Sequence, residues 1–177
     1  MKSLTVLCMI ALVVTGACNA SEKGDQDTTQ LTASQDNEPD DQESKKTMEI
    51  AMAFMDAMGK GDMDKMVSLM HDDMVWQNAG DSDLPWIGPW KGKKAILEEF
   101  MPAFGANFQT IKWEPNDAFA SGNTAAFFGQ MVGLLTKSNK KTKEFTYALR
   151  VKVKDGKVIL WNWFEDSYEV SKAYKDN

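Results

Sequence analysis

The sequence predicts an α+β domain in which helices come first and an antiparallel sheet follows. Between residues 45 and 106, apolar side chains recur mainly at the three- and four-residue spacing of helices. From residue 109 onward, segments with strand character are separated by short turns. Helices followed by a run of strands are typical of the α+β class.

The first helix is predicted from Lys45 to Lys60, because methionine and alanine recur there at helical spacing and Gly59 and Gly61 end the pattern. Asp62 is expected to N-cap a second short helix that runs through Met70. We interpret the methionines as core rather than as a metal site, since methionine is a flexible gap-filler.

A short strand is predicted from Asp73 to Asn78, with Trp76 and Asn78 on the same face. The segment from Ala79 to Gly92 is rich in Gly, Pro and Asp, which indicates a loop. A third helix is then predicted from Lys93 to Ala106.

Four strands are expected to form consecutive hairpins, followed by a short closing helix. Their predicted ranges are 109–119, 124–136, 142–154 and 157–167, with the helix at 168–174. In the third strand Phe145, Tyr147 and Leu149 share one face. Both faces of the fourth strand carry apolar residues, so one should meet the helices and the other a partner subunit. We therefore expect a homodimer through the outer face of the sheet.

The N-terminus predicts export and a lipid anchor. A short positive start, an apolar run from Leu4 to Val14 and the small residues before Cys18 form a secretory signal at residues 1–17. Its end resembles the bacterial lipobox, which implies that Cys18 carries the lipid; an ordinary cleaved signal is the alternative. The run is too short to span a bilayer, which takes about 20 residues. We expect a lipid-anchored protein of the bacterial cell envelope, facing the periplasm from the outer membrane.

Residues 18–44 are expected to be a disordered acidic tether, because they carry eight acids, one lysine and no aromatic residue. Residues 45–177 carry 18 basic and 18 acidic side chains, so the predicted domain is neutral and gives no electrostatic reason to bind nucleic acid. It contains no cysteine, and His71 is the only histidine. We therefore predict no metal site, and we expect no cofactor.

The order of these segments resembles that of a known superfamily. The matching stretches are Gly61-Asp62, Leu69 to Asp73, Gly88 to Gly92, Ile96 to Phe100 and Asp155 to Asp166. Together they are similar to the SnoaL-like branch of the nuclear-transport-factor-2-like (NTF2-like) superfamily, which includes ketosteroid isomerase. The resemblance covers residues 46–174. It implies a cone of strongly curved sheet packed on the N-terminal helices, with a pocket inside.

The same resemblance argues against ketosteroid isomerase activity. The general-base aspartate of the isomerase falls at Asn78, its oxyanion-hole tyrosine at Phe54 and its protonated aspartate near Leu149. An amide cannot take a proton as a carboxylate does, and Phe and Leu cannot donate a hydrogen bond to an enolate. We therefore expect no chemistry of that type.

The resemblance also implies which side chains line the pocket. The predicted apolar ligand contacts are Phe54, Trp76, Trp86, Trp90, Phe145, Leu149, Trp161 and Trp163. Trp86 and Trp90 are expected to be exposed on the loop, as a lid or a ligand contact, or else to pack on the end of the barrel. Glu165 is the candidate acid or base, with Asn78 or Tyr147 polarising a carbonyl group.

Three functions remain open at this stage. In the first, the domain binds a small apolar or aromatic molecule. In the second, it is a cofactor-free isomerase, dehydratase or cyclase that uses Glu165. In the third, the cone is filled by side chains and the protein is a scaffold dimer without a ligand.

Overall fold

The structure is a computed structural model that describes residues 41–175. The predicted signal at residues 1–17, the lipidation site Cys18 and the tether as far as residue 40 lie outside this range. The structure therefore does not test the predicted signal, lipid anchor or tether up to residue 40.

Helix α1 spans Asp41–Lys60 and begins four residues before its predicted start, so the end of the predicted tether is helical. Acidic side chains in the first turn complement the positive end of the helix dipole there. The hydroxyl of Ser44 also accepts a hydrogen bond of 2.9 Å from the backbone N–H of Gly122, which fixes this first turn to the sheet. One side of α1, which includes Ala51 and Phe54, is buried.

Helix α2 spans Met63–Leu69, and the predicted N-cap is present, because Asp62 accepts from the backbone N–H of Lys65 at 3.0 Å. Strand β1 follows directly and spans Met70–Asn78. It starts earlier than predicted, since Met70 extends the strand rather than the helix.

The segment after the loop contains two differences from the sequence prediction. A two-residue strand, β2 (Trp90–Lys91), pairs with β1 inside the predicted loop. The third predicted helix is divided into α3 (Lys93–Ala95), a π-helical turn (Ile96–Phe100) and α4 (Met101–Asn107). Pro102 in the first turn of α4 explains the wider turn, because a proline ring clashes with the carbonyl four residues earlier in an α-helix.

The remaining strands confirm the predicted meander. Their bounds are β3 Phe108–Ser121, β4 Thr124–Leu135, β5 Lys140–Lys141, β6 Phe145–Lys154 and β7 Lys157–Glu165, and helix α5 spans Ser167–Lys175. The sheet order is β2-β1-β7-β6-β4-β3, with β5 on β4. All neighbours are antiparallel except β1 and β7, which are parallel, so the strongly curled half-barrel is a mixed sheet.

The two faces of the sheet have different environments. The inner face carries Tyr147, Leu149 and Trp163 and is buried against the helices. The outer face carries the alternate residues, and Phe128 and Phe164 are 40% and 46% exposed there. The α+β class and the predicted cone are thus confirmed, and the alternation in β6 matches its burial along the whole strand.

Helix α5 closes one end of the cone and is fastened to the loop after β1. The ammonium of Lys175 lies 2.6 Å from Asp81 and 2.8 Å from Asp83. Ser171 also donates to Asp81, and the ring of Tyr174 meets that of Trp86 edge-on. The hydrogen bonds from Lys175 and Ser171 hold the pKa of Asp81 well below its usual range, so Asp81 stays ionised down to strongly acidic pH.

Candidate functional site

The cone contains a partly open cavity of about 440 Å³ between the inner sheet face and the helices. The end of α1 contributes Met58 and Gly59. Phe100 of the π-helical turn and Phe104 of α4 also line the cavity. Most of the remaining wall is formed by aromatic side chains of the sheet and the loop. The cavity is therefore apolar in character, and its polar side chains are few.

Aromatic rings form the base of the cavity in a connected series. Trp76 stacks on Trp161, with ring centroids 5.0 Å apart, and meets Phe100 at 4.7 Å. These two indoles lie opposite each other on the parallel strands β1 and β7. Phe54 of α1 packs behind them against Trp161 at 5.3 Å and is fully buried.

Strand β3 closes one side of the cavity through an irregularity in its pairing. Phe108, Thr110 and Trp113 all line the cavity, although Phe108 and Trp113 are five positions apart and would lie on opposite faces of a regular strand. The register with β4 shifts between Thr110 and Lys112, which resets the alternation of side chains and turns Trp113 to the inner face. Gly133 on β4 makes room for Phe108, because a Cβ there would lie 2.1 Å from the phenyl ring.

Asn78 is the first polar group of the wall, and a neighbouring indole orients it. Trp76 Nε1 donates to Asn78 Oδ1 at 3.1 Å. Asn78 is 7% exposed and lines the cavity.

Glu165 is the second polar group, at the end of β7. Trp163 Nε1 donates to Glu165 Oε2 at 2.7 Å. Burial raises the pKa of Glu165 to about 7, with Asp166 adding to the effect and the hydrogen bond from Trp163 opposing it. The carboxyl group therefore changes its charge close to neutral pH, within an aromatic wall.

Tyr147 lies behind this wall. Its ring stacks on Trp163 at 4.4 Å with an interplanar angle of 14° and is 3% exposed. The ring fits over Gly129, where a Cβ would lie 2.9 Å from the phenol oxygen. Burial raises the pKa of Tyr147, and the neighbouring indole N–H of Trp113 opposes this effect. By hydrogen-bond geometry, neither that N–H nor the Tyr147 hydroxyl has a partner among residues 41–175.

The structure thus brings together six of the predicted site residues on the cavity wall. These are Trp76, Asn78, Trp86, Trp161, Trp163 and Glu165. The others lie outside this set: Phe54, Phe145, Tyr147 and Leu149 are buried in the core, and Trp90 is partly buried beside Trp86.

Of the two alternatives for the loop indoles, an exposed lid is wrong for Trp86, which is 2% exposed, and packing is what the structure has. Its ring meets Phe104 and Phe108 edge-on at 6.0 Å each, so it forms part of the wall rather than a lid. Trp90 donates from Nε1 to the backbone oxygen of Trp86 at 3.2 Å, which holds the loop in this position.

The sequence did not predict the cavity residues that the end of α1, the π-helical turn, α4 and β3 contribute. Phe100 and Phe104 lie within the predicted third helix but were not recognised as cavity residues. Phe108 and Trp113 gave no usable signal, because β3 is mostly exposed and its alternation is interrupted. Met131, on β4, was also not assigned to the cavity.

Neither a metal cluster nor a membrane-spanning helix is found in the part of the chain that the structure describes. Among residues 41–175, no three His, Cys, Asp or Glu side chains are grouped so that they could hold a metal ion. No helix in the same range is both long enough and apolar enough to cross a bilayer.

Comparison with protein families settles the relationship that the fold suggests. The SnoaL-like domain model matches residues 51–161, which is more than half of the chain. The chain belongs to the SnoaL-like family. The search of curated proteins found no match.

Solved structures share the NTF2-like fold at low sequence identity. An NTF2-like protein from Burkholderia xenovorans LB400 has a TM-score of 0.67 at 21% identity and covers 75% of this chain and 98% of its own. TerC, co-crystallised with polyporic acid, has a TM-score of 0.63 at 16% identity, with coverage of 74% and 99%. An LEH-like epoxide hydrolase from M. tuberculosis has a TM-score of 0.55 at 19% identity, with coverage of 75% and 91%. At these identities the likeness concerns the fold alone.

Proposed function

We propose that this SnoaL-like domain binds a small apolar or aromatic molecule in its cone cavity. The observation that carries the proposal is the cavity of about 440 Å³ whose wall is aromatic apart from a few polar groups such as Asn78 and Glu165. Ligand sites of small molecules are typically concave, roughly 300–1,000 Å³ in volume, and apolar with a few placed polar groups. The size and the character of this wall both fit that description.

A protein of similar structure supports the proposal that the cavity binds a small molecule. TerC shares the fold and was co-crystallised with polyporic acid, so this fold is compatible with a co-crystallised small molecule. The alternative of a scaffold dimer requires a cone filled by side chains. The open volume beside Trp86 and Trp163 favours a ligand over that alternative.

Titration with N-phenyl-1-naphthylamine, a neutral fluorescent probe, tests the proposal. The purified protein is expected to enhance the probe's fluorescence with a dissociation constant in the micromolar range. Thr110→Trp places an indole in the cavity and should weaken probe binding at least tenfold. Thr146→Trp makes the same change on the opposite face of the sheet and should leave binding unchanged. Equal loss in both variants, or no binding by the protein, would contradict the proposal.

A second candidate function rests on the carboxyl group of Glu165. Its pKa of about 7 suits a group that takes and returns a proton near neutrality, as an isomerase, dehydratase or cyclase requires. Catalysis predicts a bell-shaped or sigmoidal pH–rate profile and a loss of at least a hundredfold in kcat for Glu165→Gln. A ligand-binding protein keeps its affinity for the neutral probe in Glu165→Gln and shows no turnover.

Ketosteroid isomerase activity is not part of the proposal. Phe54 and Leu149, which stand where the isomerase has its donors, are buried and carry no polar group. Asn78 stands in place of the general base. Conversion of a 5-ene-3-ketosteroid by the purified protein would contradict this conclusion.

We also propose that the protein is a homodimer and that a lipid on Cys18 anchors it to the bacterial envelope. The dimer would use the outer sheet face, where Phe128 and Phe164 are exposed. The anchor is supported by the signal at residues 1–17 and is tested by mass spectrometry of the mature N-terminus. An unmodified Cys18 would exclude it.

A further inference from the structure

Asn78 and Glu165 are two of the polar side chains that line the cavity, and each accepts a hydrogen bond from an indole of its own strand. In β1, the indole N–H of Trp76 donates to the side-chain oxygen of Asn78, two residues later. In β7, the indole N–H of Trp163 donates to the side-chain oxygen of Glu165, again two residues later. All four side chains line the cavity.

The parallel pairing of β1 and β7 brings both hydrogen-bonded pairs, Trp76–Asn78 and Trp163–Glu165, to one wall of the cavity. Asn78 lies opposite Trp163, so Glu165 is one pleat further along the neighbouring strand. Strand spacing and rise place the Cα atoms of Asn78 and Glu165 about 8 Å apart. A molecule of one or two rings in the cavity can therefore lie against both groups at once.

The chemistry of the indole decides which end of the Asn78 amide remains for a ligand. An indole N–H only donates, so the atom of Asn78 that faces it must be the oxygen. The amide nitrogen is left to donate to whatever occupies the cavity. Without the indole N–H the amide could turn over and present its oxygen instead.

We infer that Trp76 is a positioning residue that holds Asn78 as a hydrogen-bond donor, so that the cavity selects aromatic molecules carrying an acceptor such as a carbonyl oxygen. The inference deepens the proposed function and rests on it. The orientation of the Asn78 amide is assigned to its hydrogen bond with Trp76. The ligand must then carry a hydrogen-bond acceptor as well as an aromatic ring.

Glu165 cannot donate a hydrogen bond to the ligand at every pH. Trp163 occupies its Oε2, and the carboxyl group donates only when it is protonated. The amide of Asn78 does not titrate, so it donates at every pH. Tyr147 is a poor substitute, because its hydroxyl is buried behind Trp163 and not on the wall.

Two probes of nearly the same shape test the inference by calorimetry. The probes are 2-acetylnaphthalene, which has a carbonyl oxygen, and 2-isopropenylnaphthalene, in which a methylene group replaces that oxygen. The protein is expected to bind the ketone about tenfold more tightly, which corresponds to about 1.4 kcal/mol and lies at the upper end of the usual net contribution of a hydrogen bond. Measurements at pH 8 keep Glu165 mostly ionised, so its carboxyl group is not the donor being tested.

Three variants separate positioning from a general effect on the wall. Asn78→Leu removes the donor and should bring the two affinities within twofold of each other. Trp76→Phe removes the indole N–H that faces Asn78, together with part of the ring, and should reduce the preference in the same way. Trp161→Phe removes an indole from the opposite position on β7 and should keep the tenfold ratio, whatever it does to either affinity.

The outcomes are distinct. If the protein binds both probes equally, the inference is wrong and the proposed binding function stands. If it binds neither probe, both are wrong. A tenfold ratio that survives in Trp76→Phe would overturn the positioning role of Trp76. Should Trp76→Phe fail to fold by circular dichroism, Asn78→Leu decides whether the amide selects the ketone.

Discussion

Glu165 places a carboxyl group with a raised pKa in the otherwise aromatic wall of the cavity. Its carboxyl group lies at the end of β7, bonded to the indole of Trp163, and its pKa is raised to about 7 by burial. The unfolded chain titrates this group near 4.5. Between these values the folded protein holds a proton that the unfolded chain releases, so its free energy of unfolding falls as the pH rises.

This linkage gives a prediction for the difference between the wild type and Glu165→Gln. Relative to the variant, the wild type should lose on the order of 3 kcal/mol of stability between pH 4.5 and pH 8, with most of the loss complete by about pH 7. Urea denaturation of both proteins across this range measures it. Glu49→Gln, the same change at an exposed position of α1, should follow the wild type at every pH. A constant difference between the wild type and Glu165→Gln would show that the carboxyl is solvated.

At the scale of single elements, the strands were the most predictable part of the chain. The alternation of Tyr147, Leu149 and their neighbours in β6 is complete, and its burial follows it. The parallel pairing of β1 with β7 joins segments far apart in sequence, and no local pattern specifies it. In β3 the register shifts reset the alternation, so Trp113 could not be assigned to the cavity from its position in the sequence.

The outer sheet face supports a prediction about assembly. Phe128, Ala148 and Phe164 lie side by side on three neighbouring strands, and the ring of Phe119 stacks on Phe128 at 6.0 Å. An exposed apolar row of this kind suits burial against a second copy. Light scattering should give twice the mass of a single chain for the wild type.

A double variant, Phe128→Asp with Phe164→Asp, should halve that mass, because it places carboxylates at the proposed interface. Tyr168→Asp is the matched control, since Tyr168 is 68% exposed on α5, outside the sheet. A wild-type protein that is monomeric at micromolar concentration would contradict the dimer.

At the scale of the molecule, the fold class and the family followed from the order of segments, while the shape of the site did not. The cone and its cavity were implied by the resemblance, which also assigned Trp76, Trp161 and Trp163 to the wall; these are three of the five indoles that line the cavity. For Trp86 the sequence left exposure and packing open, and the ring is buried against Phe104 and Phe108. Its position depends on tertiary contacts, including Tyr174 of α5, that loop composition does not encode.

The crystal structure of the protein soaked with 2-acetylnaphthalene tests the central claim most directly. We predict density for the naphthalene rings within the cavity, against Trp86 and Trp163, with the ketone oxygen within hydrogen-bond distance of Asn78 Nδ2. An empty cavity at saturating probe, or density confined to the outer face beside Phe128 and Phe164, would contradict the claim that this cone is a ligand site.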